Sequence, residues 1–182
     1  MAQENNQEWA VPTIDIDAID IKILNELQKE GRLTNVQLAD RVGLSPSPCL
    51  SRVRALEESG LILQYVALLD PQKLGAVVSV FVQVTLERQI ENMLHVFEAA
   101  VESFPEVMEC YLMTGDSDYL LRVVVRDVGA FQHFIVEKLV KVTGVATIKS
   151  SFALKQVKYK TAYPVADIIG SNIGRRQGQR RL

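Results

Sequence analysis

The apolar positions begin at helical spacing. Ile16, Ile19, Ile23, Leu24 and Leu27 fall on one stripe, which predicts an amphipathic helix. Asp15 or Asp17 can cap its start, where carboxylates are favoured, and Gly31 stops it. A second, shorter helix runs over Asn35–Val42, with Thr34 as its cap and Val36, Leu38, Ala39 and Val42 inward. Gly43 and Leu44 turn the chain. Ser45 caps a third helix, whose first turn tolerates Pro46 and Pro48 because the amides there lack partners anyway. Leu50, Val53 and Leu56 form its inner face, and Gly60 ends it.

After Gly60 the period changes from helical to extended. Leu61–Leu69 reads as a strand, broken by Asp70-Pro71, and Val77–Leu86 is rich in β-branched residues. Ile90–Ser103 is helical again, with Met93, Leu94, Phe97, Ala100 and Val101 inward. Val107–Thr114 and Tyr119–Val125 are strands joined by Gly-Asp-Ser-Asp, a hairpin signal. Ala130–Val142 is a helix, Thr143-Gly144 breaks it, and Val145–Tyr163 is a long extended finish. The second half therefore runs β-α-β-β-α-β, the order of a ferredoxin-like domain. The fold class is α+β: a winged helix-turn-helix domain followed by a ferredoxin-like βαββαβ domain. The expected divisions are a flexible N-terminus (1–13), a helix-turn-helix domain (14–63), a linker strand (64–75), a ligand and assembly domain (76–164) and a basic flexible tail (165–182).

Composition narrows the possibilities. Of 182 residues, 48% are hydrophobic and 23% charged, which marks a globular chain. The net charge of −2 confines any nucleic-acid surface to a local patch. The tail is such a patch, with Arg175, Arg176, Arg180 and Arg181; it is either a solvated end or a phosphate contact. Two cysteines, Cys49 and Cys110, form no CxxC and no disulfide framework. The apolar runs are too short to cross a membrane, and the N-terminus has no signal-sequence pattern. A reducing cytoplasm follows. His95 and His133 lie far apart with no cysteine near either, so no metal site is expected. There is no GxGxxG or GxxxxGK[ST] loop and no legible Ser/Cys–His pairing. Neither a cofactor nor an enzyme is expected.

Two short helices around a tight glycine turn, with a third before them, make a helix-turn-helix, whose last helix enters the DNA major groove. The start of that helix, Ser45-Pro-Ser-Pro-Cys-Leu-Ser, is short-chained and allows close backbone approach. Helix N-terminal amides and hydroxyls favour phosphate oxygens. Arg52 and Arg54 reach further, to phosphate or to guanine edges. The candidate DNA-binding set is Thr34, Asn35, Ser45, Ser47, Pro48, Cys49, Ser51, Arg52 and Arg54. The competing account pairs the arginines with Glu57 or Glu58 on the same helix and packs Cys49 inside. Residues 31–59 hold four arginines against three acids, a weak bias.

The loop Thr114-Gly115-Asp116-Ser117-Asp118 offers a second candidate site. Backbone amides beside Gly115 can hold a carboxylate, and Asp116 or Asp118 can hold an ammonium. The alternative is an ordinary polar turn whose aspartates cap their own backbone.

The segment ILNELQKEGRLTNVQLADRVGLSPSPCLSRVRALEESGLI resembles the N-terminal domain of the Lrp/AsnC (feast/famine) family. ALLDP, ECYLMTGDSDYLLRV and the β-α-β-β-α-β order are similar to its effector-binding domain. The resemblance spans roughly residues 14–164. It implies a transcriptional regulator of amino-acid metabolism, working in the bacterial cytoplasm on nucleoid DNA. It implies dimers that pair through their C-terminal sheets and assemble into octamers or larger rings, binding degenerate, AT-rich duplexes. It implies a small amino acid held between neighbouring C-terminal domains, at the 114–118 loop and Met113, with Leu112, Val140, Ser150 and Ser151 lining or bordering the site. Asp118 matches a position tied to the ligand response. The last strand, IKSSFALKQVKYKTAYPV, departs from leucine-answering members, with Ser151 where they carry tyrosine. Leucine, methionine and cysteine therefore all remain effector candidates. The rival reading is an oligomeric amino-acid-binding ferredoxin-like protein without specific DNA binding.

Overall fold

The computed structural model of the chain describes residues 16–76 and 78–169. The N-terminal residues 1–13, Asp15, Val77 and the arginine-bearing part of the tail lie outside them. The described chain divides into two units, one built from residues up to Ala67 together with the segment from Tyr159, the other spanning Leu68–Lys158.

The first unit is a three-helix cluster. Helix α1, Ala18–Lys29, starts at Asp17, whose carboxylate accepts from Ile19 and Asp20 amides at 2.8 and 2.9 Å. The Asp20 side chain accepts from the Asp17 amide in return, so two otherwise orphaned donors are satisfied reciprocally. Helix α2, Asn35–Val42, has the same device in Thr34 and Gln37. Gly43 ends it at φ 77°, a conformation glycine adopts without strain. Helix α3, Pro46–Glu58, has prolines in its first turn as expected, but Ser45 sits at the cap position without making a side-chain cap bond. Ile23, Leu24, Leu38, Ala39, Val42, Cys49 and Leu56 make the core.

The inward face of α3 keeps Val53 and Leu56 as expected but begins at Cys49 rather than Leu50. Cys49 and Leu56 are buried with Val53 beside them, whereas Leu50 is exposed, as is Val36 on α2. Positions 49, 53 and 56 repeat at i, i+4 and i+7, and a residue one step along a helix points about 100° away. The expected strand over Leu61–Leu69 does not form: the segment has no ladder partner among the described residues, and Leu63, Val66, Leu68 and Leu69 are exposed. The C-terminal segment belongs to this unit as well. Gln28 on α1 grips Tyr163 twice, donating to its carbonyl at 3.2 Å and accepting from its amide at 2.6 Å. Val165 packs on the helical core, and residues 165–169 form a helical turn.

The second unit has strands β1 (Val78–Leu86), β2 (Val107–Leu112), β3 (Tyr119–Val125) and β4 (Val145–Phe152), with helices α4 (Glu91–Glu102) and α5 (Val128–Glu137). The strands form one antiparallel sheet in the order β2-β3-β1-β4, the split-βαβ arrangement expected. Alternation decides which side is core. Val80, Val82, Val84 and Leu86 of β1, with Tyr119, Leu121, Val123 and Val125 of β3, point to one face. Phe97 and Val101 of α4 and Phe131 and Phe134 of α5 cover it. The Phe97 and Tyr119 rings lie 4.5 Å apart, and Phe131 meets Phe152 edge-on at 5.4 Å. The opposite face of β1 carries Ser79, Phe81, Gln83 and Thr85. Two expected extents are shorter in the structure. Helix α5 stops at Glu137 and gives way to a 3-10 turn, Leu139–Lys141. Strand β4 stops at Phe152 rather than Tyr163, because β1 begins at Val78 and offers no ladder beyond it; Leu154 is 100% exposed.

Candidate functional site

Helices α2 and α3 are fastened at their starting ends. The Asn35 amide on the first turn of α2 donates to the Pro46 carbonyl on the first turn of α3 at 2.8 Å. Thr34 is engaged in its own capping box with Gln37. Thus Thr34 and Asn35, both expected at the DNA surface, position the motif. The outward surface of α3 carries Ser45, Ser47, Pro48, Ser51 and Arg54, all exposed.

Two residues expected at the DNA surface have partners within the unit. Cys49 lies fully buried in the helical core, so it is a packing residue and not a groove contact; burial pushes its thiol pKa up. Arg52 turns back to α1, where its Nη1 donates to Asp17 at 2.7 Å and Asp20 at 2.9 Å. The Asp20 carboxylate first, and Asp17 second, raise the guanidinium pKa. The Asp17 carboxyl is held below its usual value, first by the Asp20 amide and then by Arg52. The partners expected for the arginines, Glu57 and Glu58 one turn away, are not used. Glu57 instead accepts from the Tyr65 hydroxyl at 2.9 Å, and burial with that bond pushes Tyr65 up to about 12. Arg41 also pairs with α1, through Glu30 at 2.8 Å and Glu26 at 3.4 Å. Of the four arginines in residues 31–59, only Arg32 and Arg54 lack an ion pair among the described residues. Distance in sequence hid these pairs, since Asp17 is 35 residues from Arg52.

The second candidate site is the β2–β3 connection. Gly115 has φ 126°, a region that side-chain-bearing residues resist, so the loop depends on glycine there. Thr114 and Asp116 are exposed, Met113 is exposed, and Ser117 is half-buried. Asp118 differs from its neighbours. It is 3% exposed. One carboxylate oxygen accepts from the Leu86 amide at 2.7 Å and the other from the Gln89 side chain. Its own amide donates to Val84 at 2.9 Å. A carboxylate so engaged clamps the loop to the end of β1. Gln89, not singled out in the sequence, is part of that clamp.

The remaining expected residues do not converge in one chain. Leu112 is on β2 and Ser150 and Ser151 are on β4, the two opposite edges of the sheet. Ser150 is opposite Val82 and Ser151 opposite Phe81, so the two serines face opposite sides. Val140 is exposed on the 3-10 turn. A groove of about 430 Å³ does lie between α4 and β2, but of the expected set only Leu112 lines it. Its carboxylates, Glu98, Glu102 and Glu109, disfavour an amino acid's own carboxylate. Among the described residues no helix is long and apolar enough to cross a membrane.

Comparison with known proteins agrees with both halves. Residues 16–62 match the winged helix-turn-helix DNA-binding model, and residues 79–163 match the Lrp/AsnC ligand binding domain. The chain is 49% identical to the Bkd operon transcriptional regulator of Pseudomonas aeruginosa, over 83% of this chain and 99% of that one. It is 47% identical to the leucine-responsive regulatory protein of Salmonella typhimurium, over 81% of this chain and 90% of that one. A Neisseria meningitidis transcriptional regulator, solved as an L-Met complex, superposes with a TM-score of 0.81 at 43% identity, covering 85% of this chain and 99% of that structure. Escherichia coli AsnC superposes with a TM-score of 0.76 at 26% identity, covering 81% of this chain and 98% of that structure. With a DNA-binding helix-turn-helix model matched at one end and a ligand-binding-domain model at the other, the chain belongs to the Lrp/AsnC family of transcriptional regulators.

Proposed function

We propose that the outward face of α3 reads duplex DNA and that a small amino acid at the Met113–Asp118 loop sets assembly and promoter choice. The observation that carries the first half is the division of α3. Cys49, Leu56 and Arg52 are turned inward, while Ser45, Ser47, Pro48, Ser51 and Arg54 face out. The Ser45 hydroxyl makes no cap bond and suits a phosphate oxygen at the helix start. Among the described residues Arg54 has no ion pair, and it suits a base edge or phosphate.

For the effector, the exposed amides beside Gly115 suit an α-carboxylate and Asp116 suits an α-ammonium, with Asp118 as their support. Leu112 and Val140 are exposed apolar groups on separate elements. Their separation favours a site completed by a second copy, and so a homodimer that assembles to an octamer or larger. The exposed Leu63, Val66, Leu154 and Val157 are apolar surface that such assembly would cover. Methionine is favoured by the L-Met complex of the Neisseria regulator and leucine by the leucine-responsive relatives; cysteine is the third candidate.

The test is fluorescence anisotropy of a labelled duplex from upstream of the protein's own gene, across salt, with and without each amino acid. Salt-sensitive binding that exceeds that of a scrambled duplex is expected, with a shift in one amino acid. Equal binding to both duplexes would favour the rival, an amino-acid-binding assembly without specific DNA recognition.

A further inference from the structure

The β2–β3 loop holds donors in reserve. The amides of Thr114, Gly115, Asp116 and Ser117 make no backbone hydrogen bond among the described residues. The same loop ends on a buried acceptor, the Asp118 carboxylate. Aspartate side chains commonly bond the amides of their own turn, so the ordinary arrangement is an Asp118 folded back onto its loop. The structure has the opposite. Both oxygens are drawn away from the loop, Oδ2 by the Leu86 amide at 2.7 Å and Oδ1 by Nε2 of Gln89.

The two donors differ in kind. The Leu86 amide belongs to the last residue of β1, where the ladder to β4 shifts register between Thr85 and Leu86. That donor is backbone and stays whatever side chain stands there. The Gln89 donor is a side chain, and its residue is exposed in the connection between β1 and α4. The connection is anchored on both sides of it. The Glu87 amide donates to the Gly144 carbonyl at 2.9 Å, and the Ile90 carbonyl accepts from the Met93 and Leu94 amides at 2.9 and 3.1 Å. An exposed glutamine is thus held over a buried carboxylate, where it occupies the oxygen that the backbone leaves open.

We infer that Gln89 is a positioning residue that sets ligand specificity: by holding Oδ1 of Asp118, it keeps the loop amides free for the α-carboxylate of an amino acid. The inference rests on the effector reading above. Without the Gln89 donor, Oδ1 takes a loop amide for itself. It also sets one carboxylate against another, and like charges repel. Both effects fall on the ligand's carboxylate and neither on its ammonium or side chain. Gln89 therefore governs the preference for a free α-carboxylate over a neutral carboxamide.

The test is calorimetric titration of the full-length protein with L-leucine, L-methionine and L-cysteine, each against its own primary amide. The parent should bind the acid more tightly than the amide. Gln89→Leu removes the donor and keeps similar bulk. It is expected to lower the acid-to-amide affinity ratio about tenfold, the worth of one hydrogen bond to a charged group. Gln89→Lys returns a donor and should restore the parent ratio. A substitution that only loosened the loop would weaken acid and amide alike, so a parent-like ratio in Gln89→Leu would overturn the inference. Asp116→Asn reports on the effector reading separately, since it should weaken acid and amide together. Parent-like binding in Asp116→Asn, or a parent that binds none of the three acids, would overturn the effector reading and the role of Gln89 with it.

Discussion

Replacing Asp118 with alanine separates a structural clamp from a ligand contact. The carboxylate is buried and holds two donors, the Leu86 amide at the end of β1 and the Gln89 side chain just before α4. Alanine leaves the Leu86 amide without an acceptor in a buried position, a loss of about 1–3 kcal/mol. Gln89 is exposed and can turn to water, so its share is smaller, about 0.5–1 kcal/mol. The expected destabilisation is about 1.5–4 kcal/mol, which at about 2 kcal/mol per molar in urea lowers the unfolding midpoint by about 0.8–2 M. Asparagine keeps one acceptor for the Leu86 amide, and Gln89 can present its own oxygen to the new amide nitrogen, so Asp118→Asn should lose only about 1 kcal/mol. Urea unfolding followed by circular dichroism, at one fixed protein concentration because assembly shifts apparent stability, should rank parent, Asn and Ala in that order. The amino-acid response should weaken along the same order. An alanine variant with the parent's midpoint but no amino-acid response would refute the reasoning and place the carboxylate on the ligand.

Other consequences are as direct. Arg54→Ala should weaken DNA binding by about 1–3 kcal/mol with the oligomer unchanged, read by anisotropy and sedimentation; equal affinity would remove Arg54 from the surface. Arg52→Ala should act through α1. Its effect should be less than additive with that of Asp20→Ala, which also removes the capping acceptor of the Asp17 amide, and the salt slope should stay at the parent value; a lowered slope would show that Arg52 touches phosphate. Native alkylation should discriminate the cysteines. Cys49 should be protected by burial. Cys110 is exposed, but desolvation, with Glu98 second, pushes its thiol to about 11. A raised thiol pKa means less thiolate at neutral pH, so iodoacetamide labelling of Cys110 should keep accelerating from pH 9 towards 11; a plateau near pH 9 would contradict it.

The elements were legible where periodicity and capping chemistry agree. Thr34 with Gln37, Gly43, the prolines at the start of α3 and the alternation of β1 and β3 are all local signals, and the structure follows them. The misplaced features depend on neighbours distant in sequence. Leu61–Leu69 and the residues after Phe152 have strand-like composition, yet a strand needs a partner, and pattern alone does not say whether one exists. On α3 the pattern places Val53 and Leu56 inward, as the structure has them, but leaves Cys49 open between core and groove; burial settles it as core in place of Leu50. Charge and loop position make Arg52 and Asp118 visible in sequence, whereas their partners Asp17, Asp20, Leu86 and Gln89 come together with them only through folding. The family match at residues 16–62 and 79–163 supports the two-part organisation independently of these details.

The inward fastening of α3 also bears on how this regulator changes over generations. Asn35, Cys49, Arg52 and Leu56 fix where the helix lies. Exposed positions such as 47, 51 and 54 contribute little to that placement, and substitutions at surface sites of this kind usually shift stability by no more than about 0.5 kcal/mol. Mutation can therefore sample new outward side chains at 47, 51 and 54 without unfolding the domain. On the reading proposed above, operator preference can therefore change at these positions while the buried fastening of the helix is kept.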